Sequence, residues 1–376
     1  MRVVFLCGSL EPDCDGVGDY TRRLAGELIR QAHQVSIIAL NDKYCSIPLK
    51  ETQEVGNISI QVVRLPTGVA AKSRFFMARA HLEEFGPDWI SLQYVPFSFH
   101  EKGLPFLLNL SLKELTKGSK LHVMFHELWV GVDGKVGFKM GLLKQAQKLI
   151  IRDLLRRAAP DHITTTIDIY RKQLPQPETK LLPLFGNIPI VPVDGYARKQ
   201  EDRLRIVHFG SFTSLLDDFR SQVSFLSKAA QLKGLKAELV TFGEGGPHAE
   251  AALKAATLVL GKEYVRELGR LPPHEISLQL QLADVGISRS DFTMWGKSGA
   301  TQAMLEHGLP VLLRGSMPLE ILDPAFTDLF TEQLLFCESG FEAVFTKQAP
   351  KPRLQVVAQK FIESLNKAEF VNKVSS

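Results

Sequence analysis

Cysteine is scarce and poorly spaced for chemistry. Only Cys7, Cys14, Cys45 and Cys337 occur. None forms a C-x-x-C pair, and none has a zinc-site spacing to histidine, so neither a metal knuckle nor a disulfide framework organises the chain. Long hydrophobic runs are missing too. No stretch approaches the ~18 apolar residues of a membrane-spanning helix. The apolar run at 3–7 is followed by Glu11, Asp13 and Asp15, which leaves no h-region or cleavage site for a secretory signal. The expected location is therefore cytoplasmic, either free or peripheral at the inner face of a membrane. Charge of one sign is lacking: 45 Lys and Arg oppose 41 Asp and Glu, a net +4, too little to nominate nucleic acid as a partner. Short-period repeats and low-complexity tracts are absent as well.

What remains is an ordinary globular composition, 45% apolar and 23% charged, over 376 residues. That length exceeds one compact core of ~100–150 residues and predicts two domains. Short β-rich apolar runs alternate with longer amphipathic segments. Strands are expected at 3–7, 35–40, 58–63, 89–94, 120–125, 162–166 and 180–184, and helices at 19–32, 73–85, 104–116 and 138–158. The rhythm breaks at 186–203, which holds two Gly, two Pro and a charge run and reads as a linker. It restarts with strands at 205–210, 237–243, 264–269, 283–288 and 310–315, separated by helices near 216–233, 248–259, 274–282 and 300–307. Apolar runs without alternation, separated by helices, indicate parallel strands buried on both faces. The fold class is thus α/β: two Rossmann-like doubly wound domains, 1–185 and 204–352, facing across a cleft. A last helix in 353–376 is expected to pack toward the first domain. Open α/β sheets bind ligands beyond the carboxyl ends of their strands, so the cleft is the default site.

Three segments carry candidate chemistry. In LEPDCDGVGDYTRRLAGEL, Gly16 and Gly18 precede a helix expected to start near Asp19. Glycines permit close backbone approach, and a helix N-terminus favours an anion. As a dinucleotide fingerprint the segment fails, because Thr21 stands at the third glycine position. Asp19 is either a helix cap or a group that positions an acceptor. In FHELW, His126 and Glu127 follow the strand 120–125 at its carboxyl end. In SRSDFTMWGKSGATQAMLEHGLPVLL, Gly296-Lys297-Ser298 resembles a P-loop, but Asp291 stands where the Walker pattern needs glycine. The remaining reading is a strand, a loop and Lys-Ser-Gly opening a helix, whose free N–H groups and Lys297 would seat a diphosphate. Three further strand-end loops support it: GSFTS with Ser211, Phe212 and Thr213; FGEGG with Glu244; and LGRLPP with Arg270 and Leu271.

In order and spacing these segments resemble GT-B glycosyltransferases, specifically retaining glycosyltransferase family 4. GVGDYTRRLAGEL is similar to that family's glycine loop and first helix, FHE to its strand-end histidine and acidic residue, and VHFGSF to the opening strand of its nucleotide domain. LGRLPPHEISLQLQLADVGIS is similar to its base-binding segment, and SGATQAMLEHGLPVLL to its terminal helix before G-x-P-V. The resemblance implies transfer of a sugar from a nucleotide diphosphate-sugar, with no cofactor and no metal, to a sugar or lipid-linked acceptor. It places His126 on the transferred sugar and Gly16 and Gly18 near donor phosphate or sugar. Arg270 and Leu271 would hold the base, and Ser298, Gly299 and Ala300 would offer backbone to the diphosphate. The full expected donor set is Gly16, Gly18, Ser211, Phe212, Thr213, Glu244, Arg270, Leu271, Lys297, Ser298, Gly299, Ala300 and Thr301, with His126 and Asp19 as the catalytic pair. Trp295 and Ala303 stand where the family often has two glutamates, and GSFTSLLDD lacks its common basic pair. The alternative is therefore a catalytically impaired nucleotide-sugar-binding module or partner subunit. An epimerase of the same architecture would need several cleft carboxylates, for which few candidates exist.

The charge is unevenly placed. Residues 1–180 hold 24 basic and 19 acidic residues, a balance of +5, and residues 181–376 hold 21 and 22, a balance of −1. Residues 135–157 hold seven Lys or Arg against Asp153 alone, with Lys144, Lys148, Arg152 and Arg156 in one stripe while Leu142, Ala146, Leu149 and Ile150 point elsewhere. Such a helix suits an anionic membrane surface as well as plain solvent.

Overall fold

The computed structural model describes residues 1–132, 134, 136–176, 178–192, 202–316 and 331–374. Residues 193–201 of the expected linker and Lys135 of the basic segment lie outside the described residues. The chain divides into two compact units, Met1–Pro183 with Leu354–Ser376, and Leu184–Arg353.

Unit 1 is built on strands β1 (Arg2–Cys7), β2 (Gln34–Asp42), β3 (Leu49–Val55), β4 (Ile58–Pro66), β5 (Trp89–Tyr94), β6 (Lys120–Phe125), β7 (His162–Thr165) and β8 (Lys180–Leu181). Their order is β3-β4-β2-β1-β5-β6-β7-β8. All pairs are parallel except β3–β4. Val3, Val4, Phe5 and Leu6 of central β1 are wholly buried, worth roughly 1.5–3 kcal/mol each for the larger side chains. Between the strands run α1 (Gly16–Arg30), α2 (Ala71–Phe85), α3 (Pro96–Phe99), α4 (Phe106–Leu115), α5 (Phe138–Ala158) and α6 (Asp168–Gln173).

Unit 2 continues with β9 (Arg203–Ser211), α7 (Leu216–Leu232), β10 (Lys236–Gly245), α8 (Ala249–Leu260), β11 (Val265–Glu267), α9 (Pro273–Leu282), β12 (Val285–Asp291), α10 (Gly299–Glu306), β13 (Val311–Arg314) and β14 (Leu334–Leu335). Its order, β11-β10-β9-β12-β13-β14, is parallel throughout. Leu204, Ile206, Val223, Leu226, Leu239 and Ala252 belong to its core. The last helix, α11 (Leu354–Val374), belongs to unit 1. It buries Val357, Ala358, Phe361 and Leu365, a helical stripe, and Phe361 packs on Phe5 of β1 with ring centroids 5.6 Å apart.

Two differences from the sequence reading have plain causes. Strand β3 was not expected because LKETQEV has no apolar run. It is an antiparallel edge strand whose ladder partner is β4. Helix α1 begins at Gly16, three residues before the expected start, because Asp15 rather than Asp19 caps it: the Asp15 carboxylate accepts from the N–H of Val17 and of Gly18, each at 2.9 Å.

Candidate functional site

In unit 1 the sheet order reverses between β1 and β5, and the loop after β1 lies at that switch point. Asp15 anchors the loop, since Ser9 Oγ donates to its carboxylate at 2.9 Å. Gly18 is needed for packing: a Cβ there would lie 2.5 Å from the Ser9 carbonyl oxygen, whereas a Cβ on Gly16 meets nothing within 4 Å. The N–H of Gly18 is already taken by Asp15. Of the two glycines expected near the donor, only Gly16 is exposed. Asp19 forms an ion pair with Arg22 and accepts from the Asp13 N–H at 3.2 Å; burial raises its pKa, against the lowering effect of Arg22.

His126 lies just past β6, buried, with Tyr20 of α1 edge-on at 4.9 Å. Its Nε2 is 2.8 Å from Gln93 Oε1. A polar chain continues from there through the sheet interior. Gln93 Nε2 donates to Ser91 Oγ at 2.7 Å, Ser91 Oγ pairs with His122 Nδ1 at 2.8 Å, and His122 Nε2 pairs with Thr164 Oγ1 at 2.8 Å. Thr164 Oγ1 donates to Met124 Sδ. The strands dictate this alignment. Ser91 and Gln93 alternate onto one face of β5, in register with His122 and Met124 of β6, and Met124 is in register with Thr164 of β7. Phe361 of α11 lies edge-on against His122. Because the Gln93 amide donates to Ser91, its carbonyl oxygen faces His126. The pattern therefore assigns the proton of His126 to Nε2 and leaves the lone pair on Nδ1. Burial pushes the His126 pKa down to about 3, so the ring is neutral at pH 7. Gln93 was missed in the sequence; the available signal was two polar residues interrupting the buried run WISLQY.

In unit 2 the switch point lies between β9 and β12. Ser211 ends β9, and Arg289 of β12 donates through Nη1 to Ser211 Oγ at 2.7 Å. Arg289 is exposed and pairs with no carboxylate among the described residues. Arg314, at the end of β13, differs: it holds Asp291 at 2.8 Å and Asp218 at 3.5 Å. Thr213, Arg289 and Arg314 line one pocket together with His208 and Phe212. The other expected residues divide between this edge and the core. Phe212 is buried, stacked on His208 at 4.1 Å, so its side chain is a core element; its N–H donates to the Gly245 carbonyl. Thr213 Oγ1 accepts from the Leu215 N–H at 3.2 Å. Glu244 and Arg270 are exposed and face each other at 3.7 Å, with Leu271 half-buried beside them in sequence.

Ser298 caps α10, accepting from Thr301 N at 3.3 Å and Thr301 Oγ1 at 2.9 Å. Thr301 is buried and also bonded to Ser288 Oγ at 2.7 Å, so its hydroxyl serves the cap. The N–H groups of Gly299 and Ala300 have no carbonyl within the helix to reach. Lys297 is half-buried in the 3-10 turn Trp295–Lys297. Trp295 is buried, and a Cβ on Gly186 would lie 2.8 Å from Ala303 Cα. The two positions where the resembled pattern has glutamate are thus packing positions here. One turn beyond Ala303, Glu306 accepts from the Gly186 N–H at 2.8 Å. Arg289 was the other residue passed over, although it lies inside the segment read as most specific.

A cavity of about 820 Å³ in unit 1 opens at the opposite, amino edge of the sheet, lined by Asp88, Trp89 and Lys120 among others. Ligands of parallel α/β sheets sit at the carboxyl edge, so the strand-end loops are the better candidate site. Among the described residues no cluster of three or more His, Cys, Asp or Glu is placed to hold a metal ion, and no helix is long and apolar enough to cross a membrane.

No protein-family model and no curated protein sequence matches the chain. Solved structures do. Sucrose-phosphate synthase from Thermosynechococcus elongatus is similar with a TM-score of 0.59 at 14% identity, over 100% of this chain and 99% of that one. The catalytic domain of starch synthase IV from Arabidopsis thaliana, bound to ADP and acarbose, is similar at 0.57 and 12%, over 98% and 99%. UDP-GlcNAc 2-epimerase from Methanocaldococcus jannaschii is similar at 0.51 and 8%, over 98% and 100%. At such identities the likeness establishes the fold: a mixed α/β chain with two parallel-sheet domains of GT-B type.

Proposed function

We propose that this GT-B chain is a glycosyltransferase that moves a sugar from a nucleotide diphosphate-sugar to a sugar or lipid-linked acceptor, with retention and without a metal. The observation that carries the reading is the carboxyl edge of unit 2. There Arg289 bridges to Ser211 across the switch point without a carboxylate partner among the described residues, and the first turn of α10 offers the N–H groups of Gly299 and Ala300. A diphosphate meets a cation and a positive dipole end at such an edge. As the bond from the anomeric carbon to the diphosphate breaks, negative charge grows on the leaving oxygen, and these groups stabilise it. The acceptor oxygen bonds to the anomeric carbon on the face the diphosphate leaves, and its hydroxyl proton passes to that same leaving oxygen. His126 acts as a neutral group, its Nδ1 accepting a sugar hydroxyl while Gln93 holds the ring. The same reading has the protein work as a peripheral protein on an anionic membrane.

Calorimetric titration with UDP, GDP, ADP and their sugars tests this, followed by donor-consumption assays. One nucleotide should bind in the micromolar range, and its sugar should be consumed faster with acceptor present. Binding to none of them would remove the reading. A competing reading, a non-catalytic nucleotide-sugar-binding module, draws on the packing roles of Trp295 and Ala303. Binding without turnover, unchanged in His126→Ala, would select it.

A further inference from the structure

We infer that helices α4 and α5 together form a docking face for an anionic lipid bilayer, with apolar side chains entering the interface and basic ones lying on the headgroups. This deepens the membrane part of the proposed function and rests on no catalytic claim. Among the described residues, fifteen large apolar side chains are exposed, and seven of them fall on these two helices. Isolated exposed apolar residues are normal, but such a concentration marks a contact surface. The outward row of α5 runs Phe138, Leu142, Gln145, Leu149, Arg152, Arg156, at helical spacings of three and four, and every member is exposed. Phe138 is 84% exposed, Leu142 59% and Leu149 63%, whereas Ile150, about a third of a turn round the helix, is 1% exposed. Helix α4, which packs against α5, exposes Phe106, Leu107 and Leu110. The two helices are joined by Asn109 Nδ2, which donates to the Ile150 carbonyl at 2.8 Å.

This arrangement revises the sequence reading of α5. Lys144 and Lys148 do not belong to the outward face: Lys144 Nζ donates to the Gly131 and Gly134 carbonyls, and Lys148 sits 4.9 Å from the Trp129 ring. Leu142 and Leu149 instead share the outward face with Arg152 and Arg156, so apolar and basic groups meet the same surface. Asp153, the single acid of α5, is neutralised by Arg156 and Arg157, both at 2.8 Å. Charge selects the occupant. Two copies joined through this face would bring two net-basic surfaces together, whereas an anionic bilayer complements Arg152 and Lys139 and accepts the apolar row.

Co-sedimentation of the full chain with vesicles tests the inference without any sugar nucleotide, so its failure leaves the transferase reading untouched. Phosphatidylcholine vesicles with about one third phosphatidylglycerol should bind the protein, and pure phosphatidylcholine vesicles should not. At ~1 kcal/mol per basic residue, Lys139→Glu with Arg152→Glu should weaken partition by about tenfold or more. Leu142→Asp with Leu149→Asp should abolish it. All four side chains are exposed, so circular dichroism should be unchanged, and Leu142→Phe with Leu149→Phe should keep binding. Equal binding by wild type and the aspartate variant would overturn the proposal, as would no binding by wild type. A dimer in light scattering that the aspartate variant dissociates would also overturn it and give the face to self-association.

Discussion

Both units wind helices around a parallel sheet, yet the polar groups beside their switch points differ in kind. Unit 1 threads Ser91, Gln93, His122 and Thr164 through the buried interior of β5, β6 and β7, ending at His126. All are neutral groups whose hydrogen bonds satisfy one another, the condition for tolerating them in a core. Unit 2 packs His208 among Phe212 and Phe219 and gathers its charges, Arg289, Arg314, Asp291 and Asp218, along the carboxyl edge of the sheet. A buried neutral chain fixes geometry, while an exposed cation such as Arg289 is open to a ligand. The proposed function gives unit 1 the part of positioning and unit 2 the part of binding an anion.

Acid should break this comparison most strongly. Burial lowers the His126 pKa to about 3 and that of His208 to about 4, and it lowers His122 well below the usual value, with nearby His162 acting in the same direction. The unfolded chain then binds more protons than the folded one, so this stability is complete above pH 6.5 and is lost as pH falls toward those values. Between pH 6.5 and 5, His126 and His208 each remove about 2 kcal/mol, and His122 adds to the loss in unit 1 only. Calorimetry from pH 7 to 5 should show the transition of unit 1 falling further than that of unit 2. Equal shifts would mean that the polar chain does not bury its histidines.

Gln93→Leu should cost unit 1 about 2 kcal/mol in urea unfolding, because it strands the His126 and Ser91 partners in the core. Nitrogen NMR of the His126 ring should also change, from a proton held on Nε2 to mixed tautomers, a readout that lost packing alone would not produce. Arg289→Ala should be the gentlest of the three: no measurable change in stability, since the side chain is exposed, but nucleotide diphosphate affinity reduced about tenfold. Unaltered affinity would remove Arg289 from the site.

The architecture was legible because parallel strands buried on both faces write continuous apolar runs, as in residues 3–7 and 89–94, and the helices between them carry an apolar face. Polar edge strand β3 was not legible, because its pairing with β4 leaves no mark in LKETQEV. Within the site, the strand-end loops could be read from order and spacing. The division of labour inside them could not: Asp15 rather than Asp19 caps α1, Phe212 turns into the core, and Thr301 serves its own cap.

By itself the sequence determined where most strands and helices fall, β3 excepted, that they alternate in two sets, and that loops at strand ends carry the candidate chemistry. These follow from periodicity and local capping, which act over a few residues. Only the tertiary structure decided that Gln93 orients His126, that Arg289 reaches Ser211, and that Leu142 and Leu149 share an outward face with Arg152. The first two join residues 33 and 78 positions apart. The third depends on which side of α5 the rest of unit 1 covers. Each rests on strand register and on which surface a neighbour buries, and no short window of sequence records either.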